Sequence, residues 1–197
     1  MVAIVFEDEW IVAVDKPAGL PTAPLPGKEG PSLVALLIES RPEIAGVPGR
    51  KPWEPGLIHR LDTGTSGLVL FARTVKAMEA LLRSQEGGLF EKEYEALCSR
   101  IPGTVSGSRP ESGEIDDKGI VASRFRPYGP RGARVAAMGV ELAWPGPVYR
   151  TKVSGPGADA PDRAFMRARL SRGYRHQVRV HLSWIGLPIM GDELYHP

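Results

Sequence analysis

Gly56-Leu57-Ile58-His59-Arg60-Leu61-Asp62-Thr63-Gly64-Thr65-Ser66-Gly67-Leu68-Val69-Leu70-Phe71-Ala72-Arg73 sets an acid, Asp62, beside a base, Arg60, in a turn-rich stretch. An apolar run from Leu68 to Ala72 follows at once and predicts a buried central strand. A carboxylate held next to a buried strand costs free energy unless something pairs with it. Loops set on rigid elements are also where catalytic groups collect. Asp62 therefore has two readings from its residues alone. It is a reacting group, or it is a turn cap, for which Asp before Thr-Gly is well suited. Between Lys51 and Lys76 the only other acid is Glu54, so Asp62 is not part of a solvated acidic run.

Working outward, two helices are marked by their caps. Ser32 precedes Leu33, Leu36 and Leu37, and Thr74 precedes Ala77, Leu81 and Leu82, with Gly87-Gly88 as a stop. Trp10 to Val14 reads as a strand closed by Pro17 and Gly19. Pro21–Pro31 and Arg41–Pro55 read as loops. Glu91 to Ser99 alternates, with Lys92, Tyr94, Ala96 and Cys98 on one face. Residues 101–114 are rich in Gly, Pro and Ser and read as a mobile loop, and 155–161 as a small-residue loop. Strands are expected around 120–126, 133–143, 148–153 and 165–170. Tyr174 to Ile185 reads as a helix with Val178, Leu182 and Ile185 on one stripe. Many short strands, few helices and no regular βαβ rhythm argue an α+β fold.

The chain has 197 residues, 42% of them hydrophobic, which suits one compact catalytic domain or a tightly joined two-lobed one. The formal net charge is only +2, so total charge does not announce a nucleic-acid binder. Its distribution says more: six arginines and no acid lie between Arg163 and His181. Such a stripe is either a phosphate-binding footprint or a solvated face with ion pairs. Cys98 is the one cysteine, which excludes an internal disulfide and reads as an apolar filler. No apolar stretch is long enough to span a membrane. Glu7, Asp8 and Glu9 are wrong for a secretory leader, and a cytoplasmic location is expected.

His59-Arg60-Leu61-Asp62-Thr63-Gly64-Thr65-Ser66-Gly67 resembles the signature of the RluA-type pseudouridine synthases. Three other segments agree, in the order the family shows them. Phe6 to Trp10 and Asp15 to Pro21 are similar to the family's entry. Phe90 to Leu97 is similar to its Lys-x-Tyr strand. Gly173-Tyr174-Arg175-His176-Gln177-Val178-Arg179-Val180-His181-Leu182, followed by Gly186-Leu187-Pro188-Ile189 and Gly191-Asp192, is similar to its last motif and tail.

The resemblance implies the pseudouridine synthase fold, a mixed and mostly antiparallel central sheet flanked by helices and loops around a catalytic cleft. Residues 1–197 are expected to form a single, stand-alone catalytic domain. It implies isomerisation of uridine in structured RNA, ribosomal or transfer, without metal, nucleotide or organic cofactor. In those terms Asp62 is the essential carboxylate, Tyr94 stacks on the base and Arg179 pairs with Asp62. His59, Arg60, Arg175, His176 and Gln177 contact RNA, with Arg60 filling the gap left by a flipped nucleotide. The chain departs from the family in having Tyr174-Arg175 after Gly173. This shifts an arginine by one position, about 100° on a helix start. Family members also continue beyond the Gly191-Asp192-x-x-Tyr195 element; without an edge element, exposed sheet invites association with another chain.

Rival readings remain. One is a non-catalytic RNA-binding or RNA-folding module that keeps the fold and the basic cleft. The presence of Asp62, which repels phosphate, argues against it. Another is a small-molecule hydrolase built on Ser66 and His59, but the Gly-x-Ser-x-Gly elbow is missing. A metal site on His59, His176 and His181 is disfavoured: the last two are five apart rather than four, and no cysteine or paired carboxylate completes a set.

Overall fold

The computed structural model describes residues 2–25, 27, 29–99, 115–155 and 162–196. The expected loop at 101–114, and the one at 155–161 apart from Gly155, lie outside the described residues. The chain divides into two compact units, Met1–Phe90 and Glu91–Pro197. The described strands pair antiparallel throughout, in keeping with the α+β expectation.

The first unit holds β1 (Ala3–Glu7), β2 (Ile11–Lys16), α1 (Leu33–Ser40), β3 (Gly67–Ala72) and α2 (Val75–Glu86), with the sheet in the order β1-β2-β3. Asp8 closes the β1–β2 turn by accepting from the backbone N–H groups of Trp10 and Ile11, both at 2.8 Å, a local bond that a short acidic side chain makes readily. β2 alternates, turning Val12, Val14 and Lys16 inward. Both helices are capped as expected. Ser32 Oγ accepts from Ala35 N, and Thr74 Oγ1 from Ala77 N. At the far end of α2, Gly88 takes the left-handed conformation, φ +73°.

β3 differs from the buried central strand predicted for it. Val69, Phe71 and Ala72 are fully buried, but Leu68 is 58% exposed. One flank pairs with β2, Val12 opposite Phe71 and Val14 opposite Val69. The other is met by the short segment before Asp62, through Ala72 N to Gly56 O at 2.7 Å and Ile58 N to Leu70 O at 3.1 Å. Gly56 is required there. Its φ is +64°, and a Cβ would lie 2.6 Å from Ala72 O and 2.7 Å from an Ile44 methyl.

The second unit is a five-stranded sheet in the order β4-β8-β7-β5-β6. Its strands are β4 (Lys92–Ser99), β5 (Ile120–Tyr128), β6 (Arg134–Met138), β7 (Tyr149–Ser154) and β8 (Arg163–Leu170), and α3 spans Gln177–Trp184. β4 and β8 pair along their whole length, from Lys92 opposite Leu170 to Ser99 opposite Arg163. Alternation buries Ala96, Cys98, Val121, Phe125, Val153, Met166 and Ala168 on one face, where Val180, Leu182 and Trp184 of α3 join the core. α3 begins three residues later than expected. His176 adopts φ +58°, and Tyr174–His176 form a turn in which Tyr174 N donates to Gln177 Oε1 at 2.8 Å. Arg175 thus precedes the helix, and the 100° helical displacement inferred from its shifted position does not apply.

Candidate active site

Asp62 sits half-buried on the loop between the 56–58 segment and β3. The backbone on both sides of it is tied down. Thr22 Oγ1 donates to Leu61 O at 2.7 Å and accepts from Leu61 N at 3.2 Å. On the other side, Thr63 O accepts from Gly19 N at 2.8 Å and from Lys16 Nζ at 3.3 Å. Thr65 N donates to Asp62 O at 3.0 Å, forming the turn.

Lys16 is the unusual member of this group, being fully buried. Its ammonium also donates to Pro17 O at 2.9 Å and Leu20 O at 2.8 Å. An ammonium in such a place is tolerated only when its protons are used. Burial pulls its pKa down, and the nearby Asp62 carboxylate opposes that pull. The loop carrying Asp62 is therefore held by a hydroxyl and a cation from one short segment, 16–22. In the sequence that segment carries only a resemblance; a lysine in the inward register of an alternating strand is the signal that marks it.

Arg60 is exposed, and its Nη1 meets Glu54 Oε1 at 3.0 Å; the Glu54 side chain is 6% exposed. A buried carboxylate thus anchors a guanidinium whose other half faces solvent. His59 lies against Phe90, ring centroids 5.7 Å apart, with Nε2 placed 3.4 Å from Leu70 N.

In the second unit Tyr94 shares the inward register of Ala96 and Cys98, while Glu93 and Glu95 point outward, as the alternation predicted. Arg179 grips Asp192 with two parallel bonds, Nε to Oδ2 and Nη2 to Oδ1, both 2.7 Å. A planar fork matched to a carboxylate fixes direction as well as charge. The guanidinium also lies 5.1 Å above the Tyr195 ring. Burial works against the charge on Asp192. Arg179 and the N–H groups of Leu194 and Tyr195 outweigh it and hold the carboxyl below its usual range. Tyr195 is buried, and its hydroxyl accepts from Val135 N at 3.0 Å and meets His176 Nδ1 at 2.7 Å. Asp192 and Tyr195 belong to the Gly191-Asp192-x-x-Tyr195 element but carry no assigned task in the sequence, since only the folded chain brings 192–195 back to α3.

The remaining sequence candidates fall into different places. Gln177 is buried, and its amide bonds to Arg150 O at 3.1 Å, Thr151 Oγ1 at 2.9 Å and Tyr174 N. These contacts give it a packing task within the second unit. Arg175 is exposed and reaches the carbonyls of Gly132 and Arg134. His181 is fully buried between Ser123 Oγ and Thr151 Oγ1, each at 2.8 Å from a ring nitrogen. Burial pushes its pKa down to about 3. Cys98 is buried, as expected of a filler, and burial pushes its thiol up to about 12. Among the described residues no three His, Cys, Asp or Glu side chains are grouped to hold a metal.

In the first unit a carboxylate stands on a loop pinned at both flanks; in the second an arginine is oriented by a carboxylate and a tyrosine faces inward. Comparison with known proteins agrees with that composition. Ribosomal large subunit pseudouridine synthase D of Pseudomonas aeruginosa is 33% identical over 98% of this chain and 52% of its own length. An uncharacterized RNA pseudouridine synthase of Chloroflexus aurantiacus is 35% identical over 93% of this chain and 51% of its own. The chain therefore spans about half the length of these curated relatives. The solved structure of human RNA pseudouridylate synthase domain containing 4 superposes with a TM-score of 0.68 at 22% identity, over 98% of this chain and 68% of that one, and shares the fold. The sequence profile described as RNA pseudouridylate synthase matches residues 10–184, and the chain belongs to that family.

Proposed function

We propose that the chain is an RNA pseudouridine synthase in which residues 1–197 act as one catalytic domain. The reaction breaks the bond from uracil N1 to the ribose, turns the base, rejoins it through C5 and releases the C5 hydrogen as a proton. In this reading Asp62 is the essential carboxylate, Arg179 its cationic partner and Tyr94 the ring against which the base lies. Arg60, His59, Arg175 and His176 contact the RNA, and Arg60 fills the space of the flipped nucleotide. The observation that carries this reading is Asp62 itself, half-buried in a loop that Thr22, Gly19 and Lys16 hold on both sides. A surface acid needs no such clamp.

The substrate class is structured RNA, with ribosomal RNA favoured by the name of the Pseudomonas relative and transfer RNA as the second probe. The proposed location is the cytoplasm; no helix among the described residues is long and apolar enough to cross a membrane. The test is tritium release from C5-labelled uridine in ribosomal and transfer RNA transcripts, with wild type and Asp62→Asn side by side. Release by wild type alone, with RNA affinity kept in the variant, supports the reading. RNA binding without release by either protein would refute it and leave the non-catalytic RNA-binding module.

A further inference from the structure

The five-stranded sheet has two faces, and the described residues of this unit bury one of them. Its buried face carries the core, α3 and Tyr94. The opposite face carries the outward residues of each strand, among them Arg126, Arg150, Lys152, Arg163, Arg167 and Arg169, all exposed. Glu93 and Glu95 on β4 face the same way and engage Arg169 and Arg167 respectively. Those two arginines are locally balanced. Arg150 and Lys152, on β7 near the middle of the sheet, have no ion-pair partner among the described residues.

The register sharpens the point. Lys152 stands directly opposite Arg169, and Ser154 opposite Arg167. Like charges facing each other across a strand pair destabilise a sheet. Opposite Arg167 the fold does place a neutral residue, Ser154, but opposite Arg169 it places a second cation, Lys152. A polyanion lying on the face would offset the repulsion and use it. Lys92 shares the register of Tyr94, whereas these six exposed strand cations lie on the opposite side and outnumber Glu93 and Glu95 there.

We propose that the outward face of this sheet, centred on Arg150 and Lys152, is a second phosphate-binding surface that grips a part of a folded RNA remote from the uridine presented to Tyr94. This rests on the RNA-modifying reading above and narrows it to folded RNAs large enough to reach both sides of the sheet. Short RNAs reach only one side.

The experiment is a binding titration of a long ribosomal RNA transcript over a range of salt, using the full chain. Each phosphate contact contributes roughly 0.9 to the slope of log affinity against log salt on duplex RNA, taking the value for double-stranded DNA as a guide. Arg150→Gln with Lys152→Gln should lower the slope by about two. Lys51→Gln with Lys76→Gln, which removes the same charge from the first unit, should not. Thermal stability of the first pair should hold or rise, because the Lys152–Arg169 opposition is relieved. On the shortest RNA still modified, wild type and the Arg150/Lys152 variant should converge in affinity. An unchanged slope, or an equal fall in the Lys51/Lys76 control, overturns the proposal. An equal loss on the shortest RNA overturns the remote grip. A wild type whose affinity for the transcript ignores salt removes the RNA reading itself, and this proposal with it.

Discussion

His181 makes the stability of the second unit depend on pH in a calculable way. The ring is fully buried between two hydroxyls, and its pKa is pushed down to about 3 from an ordinary 6.5. In the unfolded chain it binds a proton near its ordinary value. Its folded pKa is depressed, so its stabilising contribution is complete above about pH 6.5 and is lost as pH falls toward the folded value. Each pH unit in that window removes about 1.4 kcal/mol. At pH 4.5 the loss is about 2.7 kcal/mol, and any folded pKa below about 4 gives nearly the same figure. That is a large share of a typical domain's stability, which is roughly 5–15 kcal/mol. The measurement is urea unfolding at several pH values between 7 and 4.5. Fluorescence of Trp184, 2% exposed and stacked on His181 at 6.4 Å, reports the transition. His181→Gln keeps a donor and an acceptor for Ser123 and Thr151 but does not titrate. It should be less stable at pH 7 and have a flatter profile below 6.5. Parallel wild-type and variant profiles across that range would show that His181 is not the titrating group, and the argument would fail.

Three further outcomes follow from the same structure. Lys16→Met leaves the carbonyls of Pro17, Leu20 and Thr63 without their shared donor; it should cost roughly 2–4 kcal/mol in thermal or urea unfolding and lower turnover by loosening the Asp62 loop. Gly56→Ala forces a left-handed residue and a Cβ 2.6 Å from Ala72 O, and should destabilise the first unit by at least about 2 kcal/mol, seen as a lower melting temperature. Asp192→Asn breaks a pair whose carboxylate side is 4% exposed, a loss of about 3–5 kcal/mol near neutral pH. Because Asp192 titrates below the usual carboxylate range, its contribution is present above that range and disappears as pH falls through its folded value. The gap between wild type and variant should therefore close in strong acid, as melting curves at pH 7 and in acid will show.

Local signals in the sequence carried the helices and the alternating strands well. Ser32 and Thr74 cap through bonds to residues three ahead, and β4 needs only its own alternation to place Tyr94 inward. The errors share a cause, which is tertiary pairing that local pattern does not encode. Leu68 to Ala72 is continuous in hydrophobicity, yet the segment Gly56–Ile58 takes one flank of the strand and leaves Leu68 outside. α3 starts late because His176 turns left-handed and hands its ring to Tyr195, nineteen residues on. β1 was invisible beyond Phe6, since its burial follows no clean alternation and its register is irregular between Ile4 and Phe6. In the site, Asp62, Tyr94 and Arg179 stood out by motif. Lys16 and Glu54 did not, and Asp192 and Tyr195 stood in a motif without a task, because each acts through a partner that only the folded chain brings near.

The solitary cysteine supplies a built-in clock. Cys98 is wholly enclosed, opposite Ala164 on β8 and bridged to Ile189 on its other flank. Its thiol, pushed up to about 12, stays protonated and unreactive while the strand is in place. Alkylation therefore waits for β4 to peel from its neighbours, and each molecule reacts at one atom only. The labelling rate counts those openings directly, without a tag or an engineered residue, and reports how often the strand that bears Tyr94 leaves the sheet.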